Sequence, residues 1–235
     1  MGRVEMLANA IQAIGSEADR LRNPELTAFL GFPGAKYSGE LLVVGRAPNQ
    51  WLDSWQASEG TNPARATEIA QNTVVDGSGC PMQLMYASGR YNPNRSAFWR
   101  SARHVLQHLS FSTEHDDWVS MLAWTNLYKI APAIGVNPSI RLRSVQQEFC
   151  NNILRTELNE FVPRRILFMT GLDWVQPFQA ALGLQLEETA TDHVKATGRV
   201  EGAQQPVSVI VTTHPDRKPS GWLAELLAVV ERKWA

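Results

Sequence analysis

The sequence predicts an α/β fold, a three-layer α/β/α sandwich around a central four-stranded parallel sheet. Three observations predict it. Four short apolar runs, at 40–45, 118–124, 166–171 and 207–213, are too continuous to alternate between core and solvent. Segments of helical period separate them, and three of the four close in a distinctive polar tail. Continuous apolar strands suit a sheet covered on both faces, and long helical crossovers are the connections that parallel strands require.

The elements follow in order. Val4, Leu7, Ile11 and Ile14 recur at helical spacing, so residues 3–22 are expected to form an amphipathic helix stopped by Asn23-Pro24. After the Gly- and Pro-rich GFPGAKYSG, the run Glu40 to Gly45 is the first core strand. Residues 46–95 are rich in Asn, Gly, Pro and Ser, with one weak helical stretch from Ala64 to Asn72; compact domains usually reserve such long irregular segments for function. Ser96 to Leu109 reads as a helix, and Trp118 to Trp124 as the second strand, followed by Thr125-Asn126 and a loop with two prolines. The capping-box spacing of Ser144 and Gln147 opens a helix to about Phe161. Ile166 to Gly171 is strand three, with a helix near Asp173 to Leu182. Residues 183–206 are polar without a clear period, where a hairpin is expected; Val207 to Thr213 is strand four, and a helix started by Pro219 closes the chain.

Composition narrows the function. The chain has 235 residues, 44% of them hydrophobic, enough for a core without staples, and one domain over 1–235 with the first helix packed on it is the expectation. With 22 Lys and Arg against 23 Asp and Glu the net charge is −1, which excludes a generally basic nucleic-acid coat; an anion-binding surface must come from locally clustered Arg. Only Cys80 and Cys150 are present, in no CxxC and no Cys/His zinc spacing, so a disulfide framework and a cysteine-ligated cluster are excluded and no cofactor is expected. No apolar run approaches the ~20 residues needed to span a bilayer, and the N-terminus has no apolar signal region, so a cytoplasmic protein with no membrane partner is expected. GxSxG, P-loop, GxGxxG and HExxH motifs are absent. His104 and His108 have i, i+4 ligand spacing, but without a carboxylate motif between them they read as a partly exposed helix face, and no metal site is expected.

The polar tails are Gly45-Arg46-Ala47-Pro48-Asn49, Thr125-Asn126 and Thr213-His214-Pro215-Asp216-Arg217. Ligands of open α/β sheets bind beyond the carboxyl ends of the strands, so the tails are expected to converge on one site. A Gly-x-x-Pro loop after strand one, an Asn at the end of strand two and a His-Pro loop after strand four together resemble the uracil-DNA glycosylase superfamily. The segment Asn92 to Arg100 also looks like the superfamily stretch whose aromatic residue stacks on the bound base. The resemblance covers roughly residues 40–233 and rests on the conjunction of the motifs. It implies a base pocket at the ends of a four-stranded parallel sheet, lined by Gly45, Arg46, Ala47 and Pro48.

A flipped base needs a stacking partner, a reader of its Watson–Crick edge and donors for its oxygens. Phe98, with Trp99 as the alternative, is the candidate for stacking; Asn126 offers an amide donor and acceptor to a pyrimidine or xanthine-like edge. His214, extended by Pro215, could donate to the base oxygen where negative charge grows as the glycosidic bond breaks. Arg217 and Lys218 could hold phosphates. Structural roles compete with each: a core anchor at Phe98, a loop hydrogen bond at Asn126 and a turn at His214. Superfamily members commonly carry an Asp, Glu or Asn in the first loop to activate water, whereas Arg46 and Ala47 stand here and Asp53 is the nearest downstream acid. Two readings follow: a divergent DNA glycosylase acting in base-excision repair on single- or double-stranded DNA, or a catalytically silent member binding a nucleobase or nucleic acid. An unrelated hydrolase on the same architecture is a weaker third.

Overall fold

The computed structural model describes residues 1–48, 53–74, 95–114, 117–202, 205–215 and 221–234. In chain order the helices are α1 (Arg3–Gly15), α2 (Pro63–Asn72), α3 (Ala97–His108), α4 (Ile140–Phe161), α5 (Leu172–Gln179) and α6 (Gly221–Trp234). The strands are β1 (Glu25–Ala28), β2 (Phe32–Pro33), β3 (Leu41–Gly45), β4 (Ser54–Gln56), β5 (Ala123–Asn126), β6 (Ile130–Pro132), β7 (Arg165–Met169), β8 (Leu184–Glu188), β9 (Val194–Val200) and β10 (Val207–Thr212). Short 3-10 turns occupy Ala18–Arg20, Ala57–Thr61 and Trp118–Met121. The structure is mixed α/β, and the chain divides into two compact units, each of three segments: Met1–Gly31, Gly45–Val74 and Thr125–Glu160; and Phe32–Val44, Val75–Trp124 and Phe161–Ala235. Gly45, Thr125 and Asn126, the closing residues of β3 and β5, thus belong to the first unit.

In the first unit, β1 pairs antiparallel with β4 on one side and β6 on the other. Met6, Leu7, Ala10, Ile11 and Ile14 of α1 are buried with Leu26, Trp55, Ile69 and Ile130 in one apolar cluster. The helix packs on α2 and on the Ala57–Thr61 turn. It ends at Gly15, short of the expected 3–22, because the chain there runs against Gly60: a Cβ on Gly15 would lie 2.5 Å from the Gly60 carbonyl carbon. Ala18–Arg20 follows as a separate 3-10 turn. The stretch expected to be irregular after residue 46 contains β4 and a reciprocal cap, in which the Gln56 side chain accepts from Glu59 N and the Glu59 carboxylate from Gln56 N. Asn62 Oδ1 then caps α2, accepting from Ala64 N at 3.0 Å, and Pro63 supplies the pre-set first turn.

In the second unit the main sheet has the order β2-β5-β3-β7-β10-β9-β8. The sequence expected four strands and the sheet has seven. The four expected ones occupy adjacent central positions, and β3 with β7 and β7 with β10 run parallel. The additional strands are antiparallel: β2 on β5, and the β8/β9 pair on β10. They carry no continuous apolar run because β8 is buried chiefly at Leu184 and β2 has two residues. Central β3 is buried throughout, as is β7 from Ile166 to Met169. Two further boundaries move. Trp118–Met121 is a 3-10 turn, with Ser120 Oγ donating to Asp117 O at 2.6 Å, so the second strand begins only at Ala123 and Asn126 is its last residue. Helix α4 opens at Ile140 rather than Ser144, because Ser139 Oγ accepts from Leu142 N at 3.2 Å and caps it a turn earlier. Pro219 lies outside the described residues.

Candidate functional site

Within the first unit, the turn after β3 and the turn after β5 lie side by side. Leu127 N donates to Gly45 O at 2.9 Å and Tyr128 N to Arg46 O at 3.0 Å. The ladder-like bonds continue past the last strand residues, so the Gly45-Arg46-Ala47-Pro48 turn is fixed beside the chain leaving Asn126. Gly45 and Pro48 are buried, Arg46 and Ala47 half-buried. Asn126 is 2% exposed, and its Nδ2 amide is buried without a hydrogen-bond partner among the described residues. Such a group costs about 1–3 kcal/mol unless something accepts from it. The Gly45–Pro48 turn and the strand end that carries Asn126 are therefore adjacent along the backbone.

A buried ionic network anchors the same strand end. Lys129 and Glu157 are wholly buried, with Nζ at 2.7 Å from Glu157 Oε2 and at 2.6 Å from Thr125 Oγ1. The Thr125 hydroxyl donates to Glu157 Oε2 at 2.7 Å, and Gly31 N to Oε1 at 2.8 Å. Arg3 lies 3.8 Å from Glu157 Oε1 and donates to Gly31 O at 2.6 Å. A Cβ on Gly31 would lie 2.7 Å from Thr125 and 2.9 Å from Glu157, so only glycine lets the backbone reach the carboxylate. Burial pushes the Lys129 ammonium below its ordinary value, with the Glu157 charge opposing that shift. Sequence reasoning missed this network. Its signal is a charge on an apolar stripe: Glu157 stands four residues from both Ile153 and Phe161, which are buried. Nearby, the Gln146 amide braces β6, donating to Ile130 O and accepting from Lys129 N and Ile130 N. Burial pushes the adjacent Cys150 thiol up to about 12.

In the second unit, β10 runs into Thr213, half-buried His214 and buried Pro215. Thr213 N donates to His193 O at 2.8 Å and Trp222 Nε1 to Thr213 Oγ1 at 3.0 Å, tying the tail to α6 and to the start of β9. Glu225 of α6 completes the tie, accepting from His193 N at 2.8 Å and Val194 N at 2.7 Å. On α3, Ser96 caps the helix, its hydroxyl accepting from Trp99 N. Trp99 is 2% exposed and edge-packed on Trp124, Trp118 and Phe98, with ring centroids 4.8, 6.4 and 5.2 Å away. Its ring is committed to the core, whereas Phe98 is half-buried.

Asp53 is exposed just before β4 and lines a cavity of about 400 Å³ in the first unit, to which none of Gly45, Arg46, Pro48 and Asn126 contributes. Arg217 and Lys218 lie outside the described residues, as do Cys80, Arg90 and residues 92–94. His104 and His108 are exposed on α3, with His104 Nδ1 3.1 Å from Gln107 Oε1. Among the described residues no group of three His, Cys, Asp or Glu could hold a metal, and no helix is long and apolar enough to cross a membrane. No protein-family model matches the chain, and no curated protein matches it significantly.

Proposed function

We propose that this protein is a divergent DNA glycosylase-like protein, on a three-layer fold resembling the uracil-DNA glycosylase superfamily, that hydrolyses the N-glycosidic bond of a flipped base in base-excision repair. The observation that carries the reading is the buried Nδ2 of Asn126, without a partner among the described residues, at a strand end whose continuation is bonded to the Gly45–Pro48 turn. A carbonyl oxygen on a base edge is the kind of acceptor that this donor lacks. In this reading Asn126 orients the base, Phe98 offers the stacking face and His214 donates to the base oxygen as charge develops there. The Lys129–Glu157–Thr125 network fixes Thr125, the residue before Asn126, and in this reading that preorganises the strand end for the base.

A second reading, a silent binder of nucleobases or nucleic acid, is favoured by one observation. The Gly45–Pro48 turn carries no carboxylate to activate water, and Asp53 lines a cavity to which that turn does not contribute. Oligonucleotides containing uracil, hypoxanthine or xanthine, single- and double-stranded, separate the two readings when scored for abasic sites. Release that disappears in Asn126→Ala and His214→Ala supports the enzyme; release unchanged in both variants would falsify the assigned roles. Binding without release across the panel selects the silent binder.

A further inference from the structure

Asp and Glu make up 23 of the 235 residues, yet residues 77–113 contain neither. The same stretch holds Arg90, Arg95, Arg100 and Arg103 with His104 and His108, so with histidine neutral it carries +4 where the whole chain carries −1. Its described part is Arg95, the capping Ser96, helix α3 and residues 109–113, all within the second unit. Arg95, Arg100, His104, Gln107 and His108 are exposed. Arg100, His104 and His108, spaced i, i+4 and i+8, form one ridge along the helix, with about 6 Å of axial rise between successive residues. Arg100 Nη1 donates to Arg95 O at 3.3 Å, and Arg103 donates to Thr113 O at 2.5 Å and lies 5.9 Å over the Trp118 ring. These partners are neutral, so they steady the side chains without cancelling their charge. Beyond the stretch, Glu114 is exposed and Asp117 is ion-paired with Lys36. Helix stability does not account for the arrangement: α3 has no acidic residue in its first turn, and Arg95 and Arg100 stand at the end where the macrodipole disfavours cations.

A partner for this face must supply negative charge and little apolar surface. The large exposed hydrophobic side chains among the described residues are Met1, Val74, Ile134, Val136 and Ile140, and none lies on α3. A protein interface is built around an apolar centre, which a ridge of Arg, His and Gln does not provide. A phosphate backbone needs no such centre, since Arg and polar donors hold it and released counterions drive the binding. We infer that the exposed face of α3 carrying Arg100, His104 and His108, with Arg95 at its start, is a nucleic-acid docking surface that holds phosphates rather than reads bases. The inference rests on the nucleic-acid partner of the proposed function and not on base release, and it uses none of Phe98, Asn126 and His214.

The test measures anisotropy of a fluorescein-labelled oligothymidylate, free of damaged bases, with the full chain across a salt series. Arg95→Gln/Arg100→Gln should weaken binding at least about tenfold and lower the salt slope by about 1.4, for two single-strand phosphate contacts. Arg95→Lys/Arg100→Lys, which keeps both charges, should restore most of the affinity, and Arg155→Gln, exposed on α4, should leave it unchanged. Base release from a uracil-containing oligonucleotide is scored with the same proteins. Binding that depends on the two arginines without any release removes the glycosylase reading and leaves this inference standing. The inference is overturned if the parent does not bind at about 50 mM salt, or if the Gln double variant binds within about twofold of it. Competition by poly-L-glutamate as effective as that of the oligonucleotide also overturns it, and makes an acidic protein the partner.

Discussion

Lys129 Nζ and Glu157 Oε2 meet at 2.7 Å with neither side chain exposed to solvent. Removing one partner of such a pair strands a charge in the core, whereas removing both strands none. Glu157→Leu and Lys129→Met should each lower unfolding free energy by about 3–5 kcal/mol, and Lys129→Met/Glu157→Leu by clearly less than their sum. Urea titrations read this directly. Single losses near zero, or a strictly additive double variant, would mean that the pair is not coupled.

Asn126 presents the opposite case, since its Nδ2 already lacks a partner. Asn126→Ala should leave stability within about 1 kcal/mol of the parent, or raise it, and under the proposed function it abolishes base binding. Thermal melts and fluorescence titration with a uracil-containing oligonucleotide measure the two effects. A loss of several kcal/mol would assign the side chain to the fold instead.

Phe98 and Trp99 are neighbours with different surroundings. Trp99→Ala removes a ring packed on three others and should cost about 3–5 kcal/mol, whereas Phe98→Ala, from a half-buried position, should cost roughly half as much or less. Under the proposed function Phe98→Ala also weakens oligonucleotide binding at least about tenfold, through lost stacking. Equal destabilisation by the two variants, with binding unchanged, would make Phe98 a second core anchor.

The Glu225 tie gives a pH signature. Burial alone pushes this carboxyl up, but the N–H groups of Val194 and His193, the Thr191 hydroxyl and the His193 charge together hold it below its ordinary 4.5. A carboxyl depressed on folding adds stability that is complete above its unfolded value and lost as pH falls through the folded one. The stability gap between parent and Glu225→Gln should therefore be widest above pH ~5 and close progressively toward acid. Melts from pH 3 to 7 follow it; a gap that widens on acidification would reverse the assignment.

Much of this protein is written locally. The apolar runs at 41–45, 165–169 and 207–212 form strands because a continuous run of β-branched and aliphatic side chains can be buried on both faces of a sheet, and their short length, β-branched content and flanking turn residues reveal that. The tails carrying Gly45, Asn126 and His214 are legible for the same reason, as strand ends followed by turn residues. Where two local signals compete, the sequence is ambiguous. Ser139 and Ser144 both offer a cap, and the earlier one starts α4. The β8/β9 hairpin answers the one expected over 183–206, whereas the two-residue edge strand β2 exists because β5 supplies its hydrogen bonds, information that no window of the sequence contains.

The chemistry divides in the same way. The resemblance to a known superfamily offered Asp53 and Phe98 or Trp99 as candidates. Packing then committed Trp99 to the core and set Asp53 on a cavity with Trp55 and Arg65. Gly31, Thr125, Lys129 and Glu157 are up to 126 residues apart along the chain and meet only when α4 docks within its unit. Nothing in the spacing of a buried charge names its partner. Whether a polar side chain is satisfied, as at Lys129, or left with a free donor, as at Asn126 and Trp55, is a property of the atoms around it, and those are assembled from distant segments by the tertiary fold.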